Sequence, residues 1–316
     1  MARFLVTGGA GFIGSHIVEE LLARGESVRI ADDFSTGRRD NLPSSGADIV
    51  EGDLADPGIA RRAVAGCYYV IHQAAIPSVP RSIADPIGTH RANVDATLEV
   101  LTAARDAGVR RLVFAGSSSV YGDAPALPKR EEMPTQPLSP YALQKLVAEQ
   151  YCQMFTRLYG LETVTTRYFN VFGPRQQPGS PYSGVISLFI DALADGRAPM
   201  IHGDGLQTRD FTYVADVVAG VLRACEAPGA AGEVINLAAG GRVSLLDLVA
   251  TLQRVLGATV APMFGAPREG DVRDSQADIT KAQALLGFEA SVPFEDGLRR
   301  TVAWHRAAPA LDPAAR

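Results

Sequence analysis

Hydrophobic and polar positions follow two different periods along this chain, and the alternation between those periods sets its architecture. Short apolar, β-branched runs at Phe4–Thr7, Ser27–Ala31, Asp48–Glu51, Tyr69–His72, Arg111–Ala115 and Thr163–Arg167 predict strands. Between them, apolar positions three and four apart predict helices at Ile13–Arg24, Pro57–Val64, His90–Ala107 and Tyr141–Tyr159. Strands and helices in regular alternation mark βαβ units around a parallel sheet. Tyr69-Val70-Ile71 and Leu112-Val113-Phe114 are apolar throughout, as strands covered on both faces must be. The expected fold is therefore α/β, a doubly wound parallel (Rossmann) sheet.

After about Asn170 the pattern loosens. Gly173–Gly184, rich in Gly, Pro and Ser, reads as a loop. Helices at Val185–Asp195, Val214–Ala227 and Leu245–Leu256, a turn at Gly203–Gly205 and a strand at Val234–Ala238 complete the expected elements. They form a smaller C-terminal α/β part, followed by a frayed tail from Ala307.

Composition narrows the partners. The 316 residues carry a net charge of −5, which argues against nucleic acid or an anionic membrane, since both favour a basic face. A hydrophobic content of 47 % is enough for a large buried core. Cys67, Cys152 and Cys225 are odd in number, far apart and in no metal-type pair, so no metal is expected and a reducing cytoplasm suits them. The chain runs from Met1 straight into its first strand, with no cleavable signal and no bilayer-length apolar stretch expected.

The candidate chemistry starts at Thr7-Gly8-Gly9-Ala10-Gly11-Phe12-Ile13-Gly14, which ends a strand and opens a helix. Gly8 allows a tight turn, Gly11 lets backbone approach a pyrophosphate, and Gly14 lets the helix pack near the strand. The helix N-terminus offers free N–H groups to phosphate. Glycines also punctuate ordinary turns, so the loop alone shows no more than a possible dinucleotide. The second strand ends at Asp32-Asp33, where a carboxylate accepts ribose hydroxyls and repels a 2′-phosphate, favouring NAD over NADP. Arg38 and Arg39 nearby soften that preference. Asp53 and Leu54 follow the third strand, where Asp53 either caps the adenine or serves as a turn or N-cap residue.

Tyr141 and Lys145 stand at i and i+4 on one helix face. A cation there favours phenolate and lowers the tyrosine pKa toward the working pH, giving a general base for a sugar hydroxyl. Ser117, Ser118 and Ser119 follow a buried strand at the carboxyl edge of the sheet, where ligands of such folds bind.

Together these motifs resemble the extended short-chain dehydrogenase/reductases and, within them, the nucleotide-sugar 4-epimerases. The resemblance runs from Gly8 to about Ala282. It implies Ser117, Tyr141 and Lys145 as the catalytic set. His72-Gln73-Ala74-Ala75 is similar to the family stretch beneath the nicotinamide, Asn93 to an asparagine beside the cofactor or a structural one, and Tyr168-Phe169-Asn170 to the segment that covers the nicotinamide and hands Asn170 to the substrate diphosphate. Arg209 and Arg268 resemble the arginines that grip the diphosphate, with surface ion pairs to Asp210, Glu269 or Asp271 as the plainer reading. Asp271 resembles a ribose ligand, and Arg175 either structures its loop or approaches the sugar. Ser275 stands where a bulky family residue limits the pocket to unsubstituted hexoses, so N-acetylated sugars are expected to fit as well.

Sugar dehydratases of this family carry an Asp-Glu pair after the catalytic hydroxyl residue, and glucuronate decarboxylases a glutamate. Ser118 and Ser119 occupy those positions here and do no acid/base work near neutral pH. The resemblance therefore implies an NAD-dependent 4-epimerase of a UDP-hexose, either UDP-glucose/UDP-galactose or the N-acetylated pair, acting through a 4-keto sugar with retained NAD. A UDP-glucuronate 4-epimerase, a dehydrogenase or reductase of the same family, and a catalytically silent NAD sensor are the alternatives. The implied domains are an NAD-binding part at 1–170 with returns at about 206–240, and a nucleotide-sugar part at 171–205 and 241–306. A homodimer through the helices near His90–Ala107 and Tyr141–Tyr159 is also implied. His72, Trp304 and the cysteines are assigned packing roles.

Overall fold

The computed structural model describes residues 3–176, 184–267 and 272–307. In chain order come β1 (Phe4–Thr7), α1 (Phe12–Ala23), β2 (Val28–Asp32), β3 (Ala47–Glu51), α2 (Pro57–Val64) and β4 (Tyr69–His72). Next are α3 (Val79–Ala84), α4 (Pro86–His90), α5 (Ala96–Asp106), β5 (Arg111–Ser117), α6 (Pro140–Tyr159) and β6 (Glu162–Tyr168). Then follow β7 (Asn170–Phe172), α7 (Val185–Ala194), β8 (Met200–His202), β9 (Thr208–Arg209), β10 (Phe211–Tyr213) and α8 (Val214–Glu226). The last elements are β11 (Val234–Leu237), β12 (Val243–Ser244), α9 (Leu245–Leu256), β13 (Met263–Gly265), α10 (Thr280–Leu286) and α11 (Phe294–Ala307).

Seven strands form one sheet in the order β11-β6-β5-β4-β1-β2-β3, parallel at every pairing. Successive side chains of a strand face opposite sides, and β1 shows the result. Leu5 packs with Val64, Val100, Leu101 and Phe155 of α2, α5 and α6. Phe4 and Val6 pack toward Ile17, Leu21, Val217 and Val221 of α1 and α8. Both faces are covered at the centre of the sheet, which is why strands such as β1, β4 and β5 read as apolar runs. The strand order reverses between β1 and β4, so their carboxyl ends part and leave a crevice, the usual ligand position in such sheets.

Local signals set α6 firmly. Ser139 caps it by accepting from the Ala142 N–H, Pro140 occupies the first turn, and Gly160 ends it in the left-handed region. Inside the fold, Arg167 of β6 holds Glu149 of α6 through two bonds of 2.9 and 2.6 Å, both side chains 4 % exposed.

Two expectations need correction. The helix anticipated at His90–Ala107 starts earlier, at Pro86 behind the cap Asp85, and is split by a π-helical turn at Arg91–Asp95. The regular elements do not end at Leu256. Helices α3, α10 and α11 and six short strands (β7, β8, β9, β10, β12 and β13) were not anticipated, because two- and three-residue ladders carry no periodicity to read.

Candidate active site

A cavity of about 770 Å³ opens at the carboxyl ends of the central strands. At one end lies the glycine loop. Gly8 adopts φ +65°, and a Cβ on it would stand 2.7 Å from the Ala74 nitrogen. A Cβ on Gly14 would stand 2.1 Å from the Gly8 carbonyl oxygen, so the loop closes on α1 only without side chains. Gly11 is the N-cap of α1 and supplies no side-chain cap, and it lines the cavity with Phe12 and Ile13. The first-turn N–H groups of a helix lack intrahelical partners, so this end of the cavity suits a diphosphate.

Asp32 ends β2 at 7 % exposure and accepts from the Ala10 and Phe34 N–H groups at 2.8 and 2.9 Å. Burial pushes its pKa up and those two bonds pull it down. Asp33 is exposed and accepts from Ser35. Arg39 stacks on Phe34 and pairs with Glu51, while Arg38 pairs with Asp40, so both arginines are engaged away from the Asp32 carboxylate. Asp53 and Leu54 line the cavity, but Asp53 also pairs with Arg91 at 3.1 Å and accepts from Ala55, leaving Asp56 as the cap of α2. These groups fit a dinucleotide with an unphosphorylated ribose.

Beneath the next stretch runs a buried polar chain. The Thr7 hydroxyl accepts from the Gln73 and Ala74 N–H groups at 3.1 and 3.2 Å, so its own proton goes to His72 Nδ1 at 2.7 Å. His72 Nε2–H then donates to the Thr97 hydroxyl at 3.0 Å, which donates to the Asn93 carbonyl at 2.7 Å. Full burial holds the His72 pKa down at about 3, so this ring is neutral. His72 is thus a hydrogen-bonding member of the site's floor, a correction to its packing role. Of the two roles open to Asn93, its contacts favour the structural one. It is 1 % exposed, lies under the cavity, accepts from Ile76 N–H and donates to Gln144 of α6 at 2.8 Å. Gln73, Ala74 and Ala75 do line the cavity, with Gln73 bonded to the Tyr168 hydroxyl at 3.0 Å.

Ser117, Tyr141 and Lys145 converge in the middle. Ser117 ends β5, its hydroxyl 2.8 Å from that of Ser119, and lines the cavity together with Tyr141. The Tyr141 backbone N–H donates to the buried Ser82 hydroxyl at 3.0 Å, which fixes the start of α6. The expected lowering of the Tyr141 pKa by Lys145 is absent. Burial raises the phenol, and only Ser117 opposes it. Lys145 instead donates to the Ala115 carbonyl at 2.9 Å and sits 4.9 Å from the centre of the Phe114 ring. Burial lowers its pKa to about 8. Tyr168 and Phe169 cover this region, and burial pushes the Tyr168 phenol up to about 12.

The far end is lined by Ser118, Asn170, Arg175, Arg209 and Ser275. Arg209, 9 % exposed, donates to the carbonyls of Thr208 and Arg273, both at 3.0 Å. Asp210 is no ion-pair partner for it. That carboxylate is fully buried and accepts from the N–H groups of Ala239, Gly240 and Ala277, while burial pushes its pKa up to about 6. It joins three chain segments, and nothing in the local sequence marks it for that. Arg175 has φ +66° and pairs with Glu19 of α1 at 2.6 Å. Arg268 and Asp271 lie outside the described residues.

Comparison with known proteins agrees with this geometry. Residues 4–238 match the family model described as the NAD dependent epimerase/dehydratase family. The UDP-glucose 4-epimerase of Mycolicibacterium smegmatis is 41 % identical over 96 % of this chain and 98 % of its own. The crystal structure of UDP-glucose 4-epimerase from Thermotoga maritima with UDP-glucose is 36 % identical, covers 96 % of this chain and 98 % of that one, and has a TM-score of 0.93. A UDP-N-acetylglucosamine 4-epimerase from Methanobrevibacter ruminantium, in complex with UDP-N-acetylmuramic acid, is 38 % identical, covers 97 % and 98 %, and also reaches 0.93. With a family model spanning most of its length and relatives above one-third identity over nearly all of it, the chain belongs to the NAD dependent epimerase/dehydratase family.

Proposed function

We propose that this protein is an NAD-dependent 4-epimerase of UDP-hexoses, UDP-glucose/UDP-galactose first. The observation that carries the reading is the convergence of Ser117, Tyr141 and Lys145 at the middle of one cavity, with no carboxylate at Ser118 or Ser119. What NAD supplies when bound is reversible hydride acceptance and the positive charge of its oxidised ring. Tyr141 takes the proton of the C4 hydroxyl and Ser117 hydrogen-bonds the same oxygen, leaving a 4-keto sugar. Lys145 anchors the cofactor's ribose and keeps positive charge near the phenol. After the keto sugar turns over, Tyr141 returns the proton to the opposite epimer. The isolated Tyr141 phenol has a raised pKa, so the base becomes effective only when substrate and cofactor change its surroundings.

Residues 1–170 and about 206–240 form the NAD-binding part in this reading, and 171–205 with 241–306 the nucleotide-sugar part. Arg209 grips the substrate diphosphate, with Arg268 and Asp271 assigned there as well. Ser275 leaves space beside the sugar, which supports acceptance of N-acetylated hexoses. Leu143, Met154 and Leu158 are exposed along α6, a surface that suits pairing with a second copy in a homodimer. Among the described residues no helix is long and apolar enough to cross a membrane, and the three buried free thiols suit a cytoplasmic setting. The test is a panel of UDP-glucose, UDP-N-acetylglucosamine and UDP-glucuronate with products resolved by NMR. Conversion of UDP-glucose to UDP-galactose with no net change in nicotinamide absorbance is expected, and net oxidation or an inert panel would sink the reading.

A further inference from the structure

The Ser117 hydroxyl has a second hydroxyl beside it. Ser117 leaves β5 at φ −148° and ψ +140° and is the N-cap of a 3₁₀ turn over Ser118–Tyr121. In that role its oxygen accepts the Ser119 N–H at 3.2 Å. The same oxygen lies 2.8 Å from the Ser119 hydroxyl, and both residues line the cavity. The turn is fixed around this pair. Val120 and Tyr121 are buried, the Val120 carbonyl accepts from the Gln136 N–H at 2.8 Å, and the Ser119 carbonyl accepts from the Gly122 N–H at 3.2 Å.

Counting protons decides what the pair can do. A serine hydroxyl has two acceptor lone pairs and one proton. The cap fills one lone pair of Ser117. If Ser117 gave its proton to Ser119, it would face the cavity with a lone pair alone. The reaction needs the opposite arrangement. A C4 hydroxyl that hands its proton to Tyr141 becomes an oxygen with lone pairs only, and so is the oxygen of the 4-keto sugar. Each requires a donor. With Ser119 as the donor of the pair, both lone pairs of Ser117 are filled and its proton is left for that oxygen.

We infer that Ser119 is a positioning residue whose hydroxyl donates to Ser117 and thereby turns the Ser117 proton toward the reacting C4 oxygen. This rests on the epimerase reading and adds a residue to it. Ser119 works through Ser117 and has no acid/base role of its own.

The test is a double-mutant cycle. Ser119→Ala removes the hydroxyl and keeps the backbone N–H, so the cap of the turn survives, while Ser119→Thr keeps a hydroxyl on the same carbon. Each is made in wild type and in Ser117→Ala, and kcat and KM on UDP-glucose, NAD content and Tm are measured for all. In wild type, Ser119→Ala is expected to lower kcat about 3- to 10-fold, the span of one neutral hydrogen bond, with KM unchanged. Ser119→Thr recovers most of the loss. In Ser117→Ala the same substitutions have no further effect, because the group they act on is gone. An equal loss in both backgrounds overturns the inference, since Ser119 would then act on substrate or fold without Ser117. A rise in KM at constant kcat overturns it too, as does wild-type kcat in Ser119→Ala or a loss that tracks Tm instead of the hydroxyl. Wild type that converts none of the UDP-sugars sinks the epimerase reading and the inference with it, and is told apart because the failure precedes any substitution.

Discussion

The two ends of the cavity are built in different ways. The glycine-loop end rests on the central strands of a seven-stranded parallel sheet, where Thr7 is in register with Ala31 on one side and His72 on the other. The far end is assembled from two-stranded ladders such as β9–β12 and from single bridges, Lys129 to Ala277 and Thr208 to Asp274. The first is a rigid frame shared by many chemistries, and the second is a set of distant segments held by a few bonds, Asp210 among them. Reaction type should therefore depend on the first and substrate choice on the second. Substitutions in the frame should affect all sugars alike, while those at the far end should separate one sugar from another.

The largest effect is expected at the point where the two ends meet. Tyr141→Phe removes the base and should lower kcat roughly 10²- to 10⁴-fold for every sugar, with little change in KM. Steady-state kinetics on UDP-glucose and UDP-N-acetylglucosamine check it, and a sugar-selective loss would break the division. Second is the frame itself. Glu149→Ala leaves Arg167 buried without its partner and should cost about 3–5 kcal/mol of stability, read by denaturant unfolding. A change below about 1 kcal/mol would show that the pair does not tie α6 to β6.

Third, Ser275→Tyr should narrow the far end. The kcat/KM ratio of UDP-N-acetylglucosamine to UDP-glucose should fall on the order of tenfold or more, with NAD content unchanged. An equal loss for both sugars would place Ser275 in the general machinery. The smallest effect concerns Lys145, whose pKa in the folded chain is about 8 against an ordinary 10.5. Between those values the unfolded chain holds the extra proton, so folding stability rises with pH there, and the cost of burying the ammonium is present below pH 8. In cofactor-free protein, the Tm difference between wild type and Lys145→Met should shift toward wild type as pH goes from 7 to 10. A difference that stays constant would mean that Lys145 is not desolvated.

Legibility in the sequence divides along the same line. The frame could be read because period, glycine spacing and strand-end carboxylates are local signals, and Gly8, Gly14 and Asp32 sit where those signals placed them. Ser117, Tyr141 and Lys145 could be read because a strand end and an i, i+4 helix pair are short patterns. The supports beneath them could not. Ser82 holds the Tyr141 backbone from 59 residues away, and the His72 chain reaches Asn93 and Gln144 across three elements. The effect of Lys145 on Tyr141 was misread because spacing shows that two groups are near but not how far burial outweighs their attraction. At the far end, Arg209 was visible as an arginine, but the carbonyls it bonds and the true partners of Asp210 depend on contacts distant in sequence.

The most direct test of the account follows the hydrogen on C4. UDP-glucose carrying deuterium at C4 should give UDP-galactose with the deuterium still at C4, without dilution by solvent or by added unlabelled NADH. Loss of the label, or its appearance in free NADH with a 4-keto product, would contradict a cofactor held in place through both half-reactions.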